Sequence, residues 1–267
     1  GVEVVEKNIY KRTIRVGETS GVIEVAHLES ENALLLRVPT SLSKALFPIS
    51  ERVRRMLDLK ADPITVGTHL ENDEVLKPLV ARRPVLRVPG AWDPFELAIR
   101  AVLGQQVTVK AATTLCGRLA EAVGLHLENS GDERLGLLFP SAKDLVDIDV
   151  RIGAPGSRMK SIRALSQAIV TGELELKMVR DLESFQAQFC QLQGIGPWTA
   201  HYFAMRALGE PDAFPDGDVA VQKAMNLALG RKLTQREMIP RAEGWRPWRA
   251  YATLHLWASL ADHKEKL

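Results

Sequence analysis

The sequence of 267 residues contains only two cysteines, Cys116 and Cys190. Two cysteines cannot build a disulfide framework, a four-cysteine metal site or an iron–sulfur site, so we interpret both as buried free thiols. The sequence also lacks a His/Glu pair at metal-ligand spacing, a Walker phosphate loop and a Rossmann glycine fingerprint. It therefore implies no organic cofactor and no catalytic metal.

Long apolar runs are missing as well. No stretch approaches the 18 or so apolar residues typical of a membrane-spanning helix, and the first residues do not resemble a signal peptide. We therefore expect a cytoplasmic protein rather than a membrane or secreted one. With 46% hydrophobic residues, a chain of this length can bury a large core or divide into two or three subdomains.

The net charge of +2 conceals an uneven distribution. The first 80 residues are nearly neutral, and the basic excess is greatest between residues 223 and 249, where only Glu237 and Glu243 are acidic. The basic residues of this stretch are Lys223, Arg231, Lys232, Arg236, Arg241, Arg246 and Arg249. Such a stretch is compatible with a stripe that faces phosphates and equally with a solvated helix surface.

The early part of the chain mixes strand and helix patterns. Three β-rich segments predict a meander, at residues 13–16, 21–25 and 33–38. Helical spacing follows at residues 50–59 and is stopped by Asp62-Pro63, and a further short helix is expected near residues 73–80. The prolines and the glycine at residues 84–90 mark a junction, beyond which helical patterns dominate, at residues 94–103, 109–123, 158–170 and 248–260.

The stretch from Leu192 to Asp218 carries the most functional information. Its Gly194-Ile195-Gly196-Pro197 segment predicts a tight turn between a helix ending at residue 193 and a helix at residues 198–208. Two glycines let the backbone approach another surface closely, and the amides that open the second helix suit a phosphate. The pattern predicts a helix, a hairpin and a helix that grips a phosphate.

Asp218 opens the next apolar segment, which predicts a helix at residues 219–229. The positive end of a helix keeps a carboxylate ionised and fixed, and Asp also serves well as a plain helix N-cap, so both roles are compatible. Trp198 and Tyr202 stand four residues apart and share a helix face. Aromatic residues at this spacing are more often core than binding site, and an isolated His255 is more often a core histidine than a catalyst.

Three motifs in this order resemble the helix-hairpin-helix DNA glycosylase superfamily, most closely its AlkA-type 3-methyladenine DNA glycosylase II branch. They are the run at residues 192–218, the letters GQQVT at 104–108 and the letters WRPWRAYATLHLW at 245–257. The resemblance covers nearly the whole chain. It implies an α+β fold, in which a small mixed α/β N-terminal domain at residues 1–82 precedes a mainly α-helical helix-hairpin-helix glycosylase region at residues 83–267.

Members of the superfamily begin with another strand and helix before the position of Gly1. We therefore expect this chain to be trimmed at its start or to be a segment of a longer protein. Its N-terminal domain is accordingly expected to lack its first strand and helix.

The resemblance also assigns roles to residues at the matching positions. Asp218 is implied to be catalytic, opposing the positive charge that develops on the sugar and helping to position the attacking water. Trp198, Tyr202 and Trp257 are implied to line the pocket of a flipped base, where electron-rich rings attract cationic alkylated purines. The implied DNA phosphate contacts are at Gly194, Ile195, Gly196, Trp198 and Thr199.

Gln105 and Gln106 match the turn that fills the space left by the extruded base. The usual wedge residue is apolar, because an unstacked step is best filled by a side chain that needs no hydrogen bond. Gln106 departs from that pattern. A glutamine that bonds the orphaned partner base would keep the role, whereas the plain alternative is a polar loop.

Position 198 bears on the reaction type. Superfamily members that form a Schiff base carry lysine at this position, whereas this sequence has Trp198. Without that amine no covalent intermediate of the usual kind forms, so the resemblance implies a monofunctional hydrolase without lyase activity.

The expected function is therefore excision of alkylated purines, such as 3-methyladenine and 7-methylguanine, from double-stranded DNA by a monomer. The alternative is a catalytically silent helix-hairpin-helix module that binds DNA or senses damage. Asp218 discriminates between the two, because a binding module has no use for a carboxylate that repels phosphates.

Overall fold

The computed structural model describes residues 1–128, 130–177 and 181–265. Four antiparallel strands form a meander in the order β1-β2-β3-β4. They are β1 (Glu3–Glu6), β2 (Ile9–Val16), β3 (Thr19–Leu28) and β4 (Ala33–Arg37). The predicted meander is confirmed, with β1 as an additional strand. Two short strands, β5 (Leu125–His126) and β6 (Leu137–Leu138), form a separate antiparallel pair.

Helices dominate the rest of the described chain, so the predicted α+β fold is confirmed. They are α1 (Leu46–Met56), α2 (Pro63–Leu70), α3 (Leu76–Arg82), α4 (Pro94–Gly104), α5 (Val109–Val123), α6 (Ala142–Leu145), α7 (Gly156–Val170), α8 (Leu182–Phe189), α9 (Pro197–Phe203), α10 (Val219–Leu229), α11 (Gln235–Glu243) and α12 (Arg249–Glu265). In this part of the chain, no helix combines the length and the apolar character that crossing a bilayer requires.

Side-chain capping explains where several helices begin. Thr108 caps α5 and Asp218 caps α10, and both helices have the predicted bounds. The segment Asp62-Pro63 was expected only to stop a helix; it also starts one, because Asp62 caps α2 and Pro63 occupies the first helical position. The helix expected at residues 198–208 is α-helical only to Phe203 and continues as a π-helical turn, Ala204–Leu208.

The chain forms two compact units, each built from two segments. One contains Gly1–Val53 and Ala98–Glu175, and the other contains Arg54–Leu97 and the described residues from Leu176 onward. These two compact units are not the predicted domains, residues 1–82 and 83–267. The domain boundary between residues 82 and 83 stays a prediction.

The first unit joins its sheet to the β5–β6 pair. The Thr13 hydroxyl of β2 donates to the Leu137 carbonyl of β6 at 2.6 Å, and Ile14 and Ile23 are fully buried. Cys116 of α5 is buried, as predicted, whereas Cys190, in the second unit, is only half-buried; these two cysteines form no disulfide in the described chain. Cys190 follows the last residue of α8, where the helix ends at a turn, so its burial is incomplete.

The second unit has an aromatic core that fixes the helical hairpin. Phe185 and Phe189 of α8 contact Phe203 of α9 with ring centroids 5.6 and 5.0 Å apart. All three rings are fully buried. This packing holds the two helices on either side of the turn at residues 194–196 and thereby positions the candidate site on α9.

Candidate active site

The turn between α8 and α9 contains the predicted glycines, but α8 ends at Phe189 rather than at residue 193, so the turn is longer than expected. Gly194 adopts a φ of 82°, a conformation that favours glycine. Gly196 is the N-cap of α9 and Pro197 its first residue, and a Cβ built on Gly196 would meet no atom within 4 Å. Ile195 and Thr199 are buried, so of the predicted phosphate contacts these two could act only through their backbone. Gly196 therefore has open space beside its Cα, and Gly194 is exposed.

Asp218 holds the centre of the site and is only 8% exposed. Its Oδ1 accepts hydrogen bonds from the Val221 amide at 2.8 Å and from Trp257 Nε1 at 3.0 Å. Its Oδ2 accepts from Trp198 Nε1 at 2.9 Å. The carboxylate is therefore the N-cap of α10 and at the same time the common acceptor of two indoles, a link between α9, α10 and α12 that sequence reasoning missed.

The three predicted pocket rings lie together, and two of them, Trp198 and Trp257, contact this carboxylate. Trp198 stacks on Tyr202 with centroids 5.2 Å apart and planes 10° from parallel. Trp257 lies 6.3 Å from Tyr202 at an angle of 44°. The Arg206 guanidinium lies 5.7 Å from the Tyr202 ring centroid, a cation–π contact. All three rings are half-buried, so they combine a packed side with an open one.

The predicted wedge residues lie in the turn between α4 and α5. Gln106 is exposed and has a φ of 53°, in the left-handed region that non-glycine residues rarely occupy. The carbonyl of Gln105 accepts a hydrogen bond from the Arg158 guanidinium of α7. The turn is thus fixed by its backbone while the Gln106 side chain projects from the surface.

The basic stretch at residues 223–249 is not a continuous stripe. Arg231 pairs with Glu237, Arg241 with Asp73, and both Arg246 and Arg249 pair with Asp212, and Arg249 is itself buried. These four arginines form ion pairs within the fold. The exposed basic residues of the stretch are Lys223, Lys232 and Arg236, together with the ion-paired Arg231 and Arg246.

His255 is buried in α12, as expected of a core histidine. Its Nδ1 has no hydrogen-bond partner among the described residues. Burial lowers the pKa of His255 to about 4, and the neighbouring Arg83 acts in the same direction. Within the described ranges, no three His, Cys, Asp or Glu side chains come together in a way that could hold a metal ion.

Family models account for most of the chain. The model of the AlkA N-terminal domain matches residues 1–93, and the model of the HhH-GPD superfamily base excision DNA repair protein matches residues 99–250. The chain belongs to the HhH-GPD superfamily. The predicted resemblance is therefore confirmed.

Two curated relatives match nearly the whole of this HhH-GPD chain. It is 37% identical to the Mycobacterium tuberculosis "Probable bifunctional transcriptional activator/DNA repair enzyme AlkA" over 97% of this chain, but it spans only 52% of that relative. It is 31% identical to the Escherichia coli "DNA-3-methyladenine glycosylase 2", over 96% of this chain and 87% of the relative. The chain thus spans about half the length of the first curated relative it matches.

A solved structure with the same fold is the 3-methyladenine DNA-glycosylase from Archaeoglobus fulgidus. The TM-score is 0.80 at 20% identity, over 96% of this chain and 88% of that one. At this identity the likeness shows the fold alone. It confirms the helix-hairpin-helix glycosylase architecture predicted from the three motifs.

Proposed function

We propose that this chain is a monofunctional DNA glycosylase that hydrolyses the N-glycosidic bond of flipped alkylated purines in duplex DNA and so initiates base excision repair. The observation that carries the proposal is the single carboxylate of Asp218, held by the indoles of Trp198 and Trp257 amid three aromatic rings. The name of the Escherichia coli relative supports 3-methyladenine as a substrate. We infer that the protein acts as a monomer.

Base recognition follows from the spacing of the rings. Trp198 and Tyr202 are already stacked on each other, so a base cannot lie between them without parting them. Tyr202 and Trp257 are farther apart and tilted, so a smaller movement apart would let the base enter between these two rings. N-alkylated purines such as 3-methyladenine and 7-methylguanine carry positive charge, which electron-rich rings attract. The pocket therefore selects charge rather than a pattern of hydrogen bonds.

The chemical step uses the fixed charge of Asp218. When the bond between C1′ and the base nitrogen breaks, its electron pair leaves with the cationic base and positive charge develops on the sugar. The carboxylate opposes that charge without reorganising, because three hydrogen bonds already hold it. Water then adds to C1′ and loses a proton, which leaves an abasic site.

We assign DNA binding to the turn between α8 and α9 and base extrusion to the turn between α4 and α5. The backbone at Gly194, Ile195, Gly196, Trp198 and Thr199 would hold a phosphate at the start of α9, where the helix end is positive. Gln105 and Gln106 would occupy the space left by the flipped nucleotide, with Gln106 bonding the orphaned base. A covalent lyase step is not proposed, because Trp198 stands where a Schiff-base lysine would be needed.

The decisive experiment is single-turnover incubation with duplex DNA containing 7-methylguanine or 3-methyladenine, followed by measurement of free base and abasic sites. We expect both products, and no protein–DNA adduct after borohydride treatment. DNA binding without release of base would instead identify the chain as a silent binding or damage-sensing module. A trapped adduct would contradict the monofunctional assignment.

Two variants of Trp257 separate stacking from hydrogen bonding. Trp257→Phe keeps a ring and loses the donor to Asp218, whereas Trp257→Ala loses both. Base–aromatic stacking contributes about 1–3 kcal/mol, so Trp257→Ala should excise cationic bases more slowly than Trp257→Phe, with little change in affinity for undamaged DNA. Equal excision by the two folded variants would mean that the Trp257 ring does not contact the base.

A further inference from the structure

The segment at residues 214–218, which ends at Asp218, is a short and tightly folded loop. Within it the Asp216 amide donates to the Phe214 carbonyl and the Asp218 amide donates to the Pro215 carbonyl, both at 2.9 Å. These two bonds leave little freedom between residues 214 and 218. The position of the Phe214 backbone therefore determines where the Asp218 backbone lies at the start of α10.

Phe214 is itself anchored at two points. Its ring is buried and meets Trp245 edge-on, with centroids 5.8 Å apart. Its amide N–H donates to Nδ1 of His201 at 3.3 Å. His201 lies on α9, between Trp198 and Tyr202 in sequence, so this hydrogen bond ties the carboxylate-bearing loop to the helix that carries two pocket rings.

This hydrogen bond specifies the state of the imidazole. An Nδ1 that accepts from an N–H has an available lone pair, so the ring is neutral and its proton is on Nε2. A protonated ring carries N–H on both nitrogens and would oppose the Phe214 N–H with a second donor.

The charged groups around His201 come from the loop and from α12. Burial lowers the pKa of His201; Asp216 opposes this effect, Arg249 reinforces it and Asp212 opposes it. The Asp212 carboxylate is engaged by the Arg249 guanidinium at 2.8 Å, which weakens its pull on a proton at the ring. The neutral ring is thus the form that the surroundings favour near pH 7.

We propose that His201 is a positioning residue, whose neutral ring fixes the segment from Phe214 to Asp218, and that protonation of this ring releases the segment and slows excision. The inference rests on the proposed function for its effect on excision. The part of the inference that concerns structure, the hydrogen bond from the Phe214 amide to His201, can be tested without any enzymatic activity.

The test compares His201→Asn, His201→Leu and the wild-type protein between pH 5 and pH 8. The asparagine Oδ1 takes the place of Nδ1 as acceptor and does not titrate. We expect His201→Asn to retain the neutral-pH single-turnover rate within about 3-fold and to lose less of it at pH 5 than the wild type does. His201→Leu should be about 10-fold slower at neutral pH, the effect of one lost hydrogen bond. His27→Asn, a substitution at an exposed histidine of β3, is the matched control and should reproduce the wild-type pH profile.

Hydrogen exchange at the Phe214 amide, corrected for the intrinsic effect of pH, supplies the second measurement. Protection should fall toward pH 5 in the wild type and persist in His201→Asn. Identical pH profiles and identical protection in these two proteins would overturn the inference. If the wild type releases no base at neutral pH, the proposed function fails, and the exchange measurement still decides whether His201 holds Phe214.

Discussion

Replacing Asp218 with asparagine removes a charge and also creates a clash between donors. Asn Oδ1 would keep the bonds from the Val221 amide and Trp257 Nε1, which places the new NH2 group where Trp198 Nε1 now donates at 2.9 Å. The opposite orientation is worse, because NH2 would then face two donors. We expect Asp218→Asn to lower the free energy of unfolding by about 1–3 kcal/mol, toward the lower end because Trp198 is half-buried.

The same substitution should also slow excision. Loss of a fixed electrostatic group at a developing charge typically reduces a rate by about 10²–10³-fold, so single-turnover excision by Asp218→Asn should be slower by roughly 10²-fold or more. Affinity for DNA should stay similar or rise, because a carboxylate no longer repels phosphates.

The double variant Asp218→Asn with Trp198→Phe separates the two effects. Phenylalanine removes the opposing N–H, so urea unfolding should show that the two substitutions together destabilise less than the sum of each alone, by about 1–2 kcal/mol. Excision should not recover. If stability and excision are restored together, the defect of Asp218→Asn arises from the donor clash, and the negative charge of Asp218 has no catalytic role.

Three further predictions concern the hairpin, the basic stretch and the core. Gly196 has a φ of −105° and open space beside it, so Gly196→Val should weaken binding to all DNA sequences in titrations without altering the melting temperature. Gly194→Val should weaken binding and also lower the melting temperature, because Gly194 has a φ of 82°. Arg241→Gln should reduce stability in urea because it leaves Asp73 without its ion-pair partner, while Arg236→Gln should leave stability unchanged and reduce the salt dependence of DNA binding if Arg236 contacts a phosphate. Folding lowers the pKa of His255 to about 4, so between pH 7.5 and pH 5 this histidine becomes protonated in the unfolded chain but stays neutral in the folded one. The free energy of unfolding should therefore fall by roughly 2 kcal/mol as the pH is lowered over this range, and His255→Leu should lack that part of the decrease.

Local signals in the sequence predicted the elements that local interactions determine. The bounds of α5 and α10 are those expected, because Thr108 and Asp218 cap helices whose apolar spacing is regular. The turn at Gly194 was equally predictable, since it depends on two glycines and a proline. Helix α2 was missed because Asp62-Pro63 was interpreted only as an end, although the same pair is a typical helix start.

Contacts between distant residues could not be predicted in this way. The basic stretch looked continuous because nothing near Arg241 in sequence shows that Asp73 lies beside it in the fold. The pocket rings were expected from motifs, yet their spacing gave no sign that Trp198 and Trp257 donate to the same carboxylate from helices 60 or so residues apart in sequence. Such geometry depends on how α9, α10 and α12 pack.

If the proposed function holds, Trp198 and Trp257 both line the base pocket and hold the Asp218 carboxylate, which limits how the pocket can diversify. Replacing Trp198 or Trp257 removes a hydrogen bond to the carboxylate, so we expect such a variant to lose turnover along with its original base preference. Tyr202 makes ring contacts with Trp198, Trp257 and Arg206 and, in the described part of the chain, none with Asp218. Libraries selected for new base ranges should therefore accumulate changes at Tyr202 first, with both tryptophans retained.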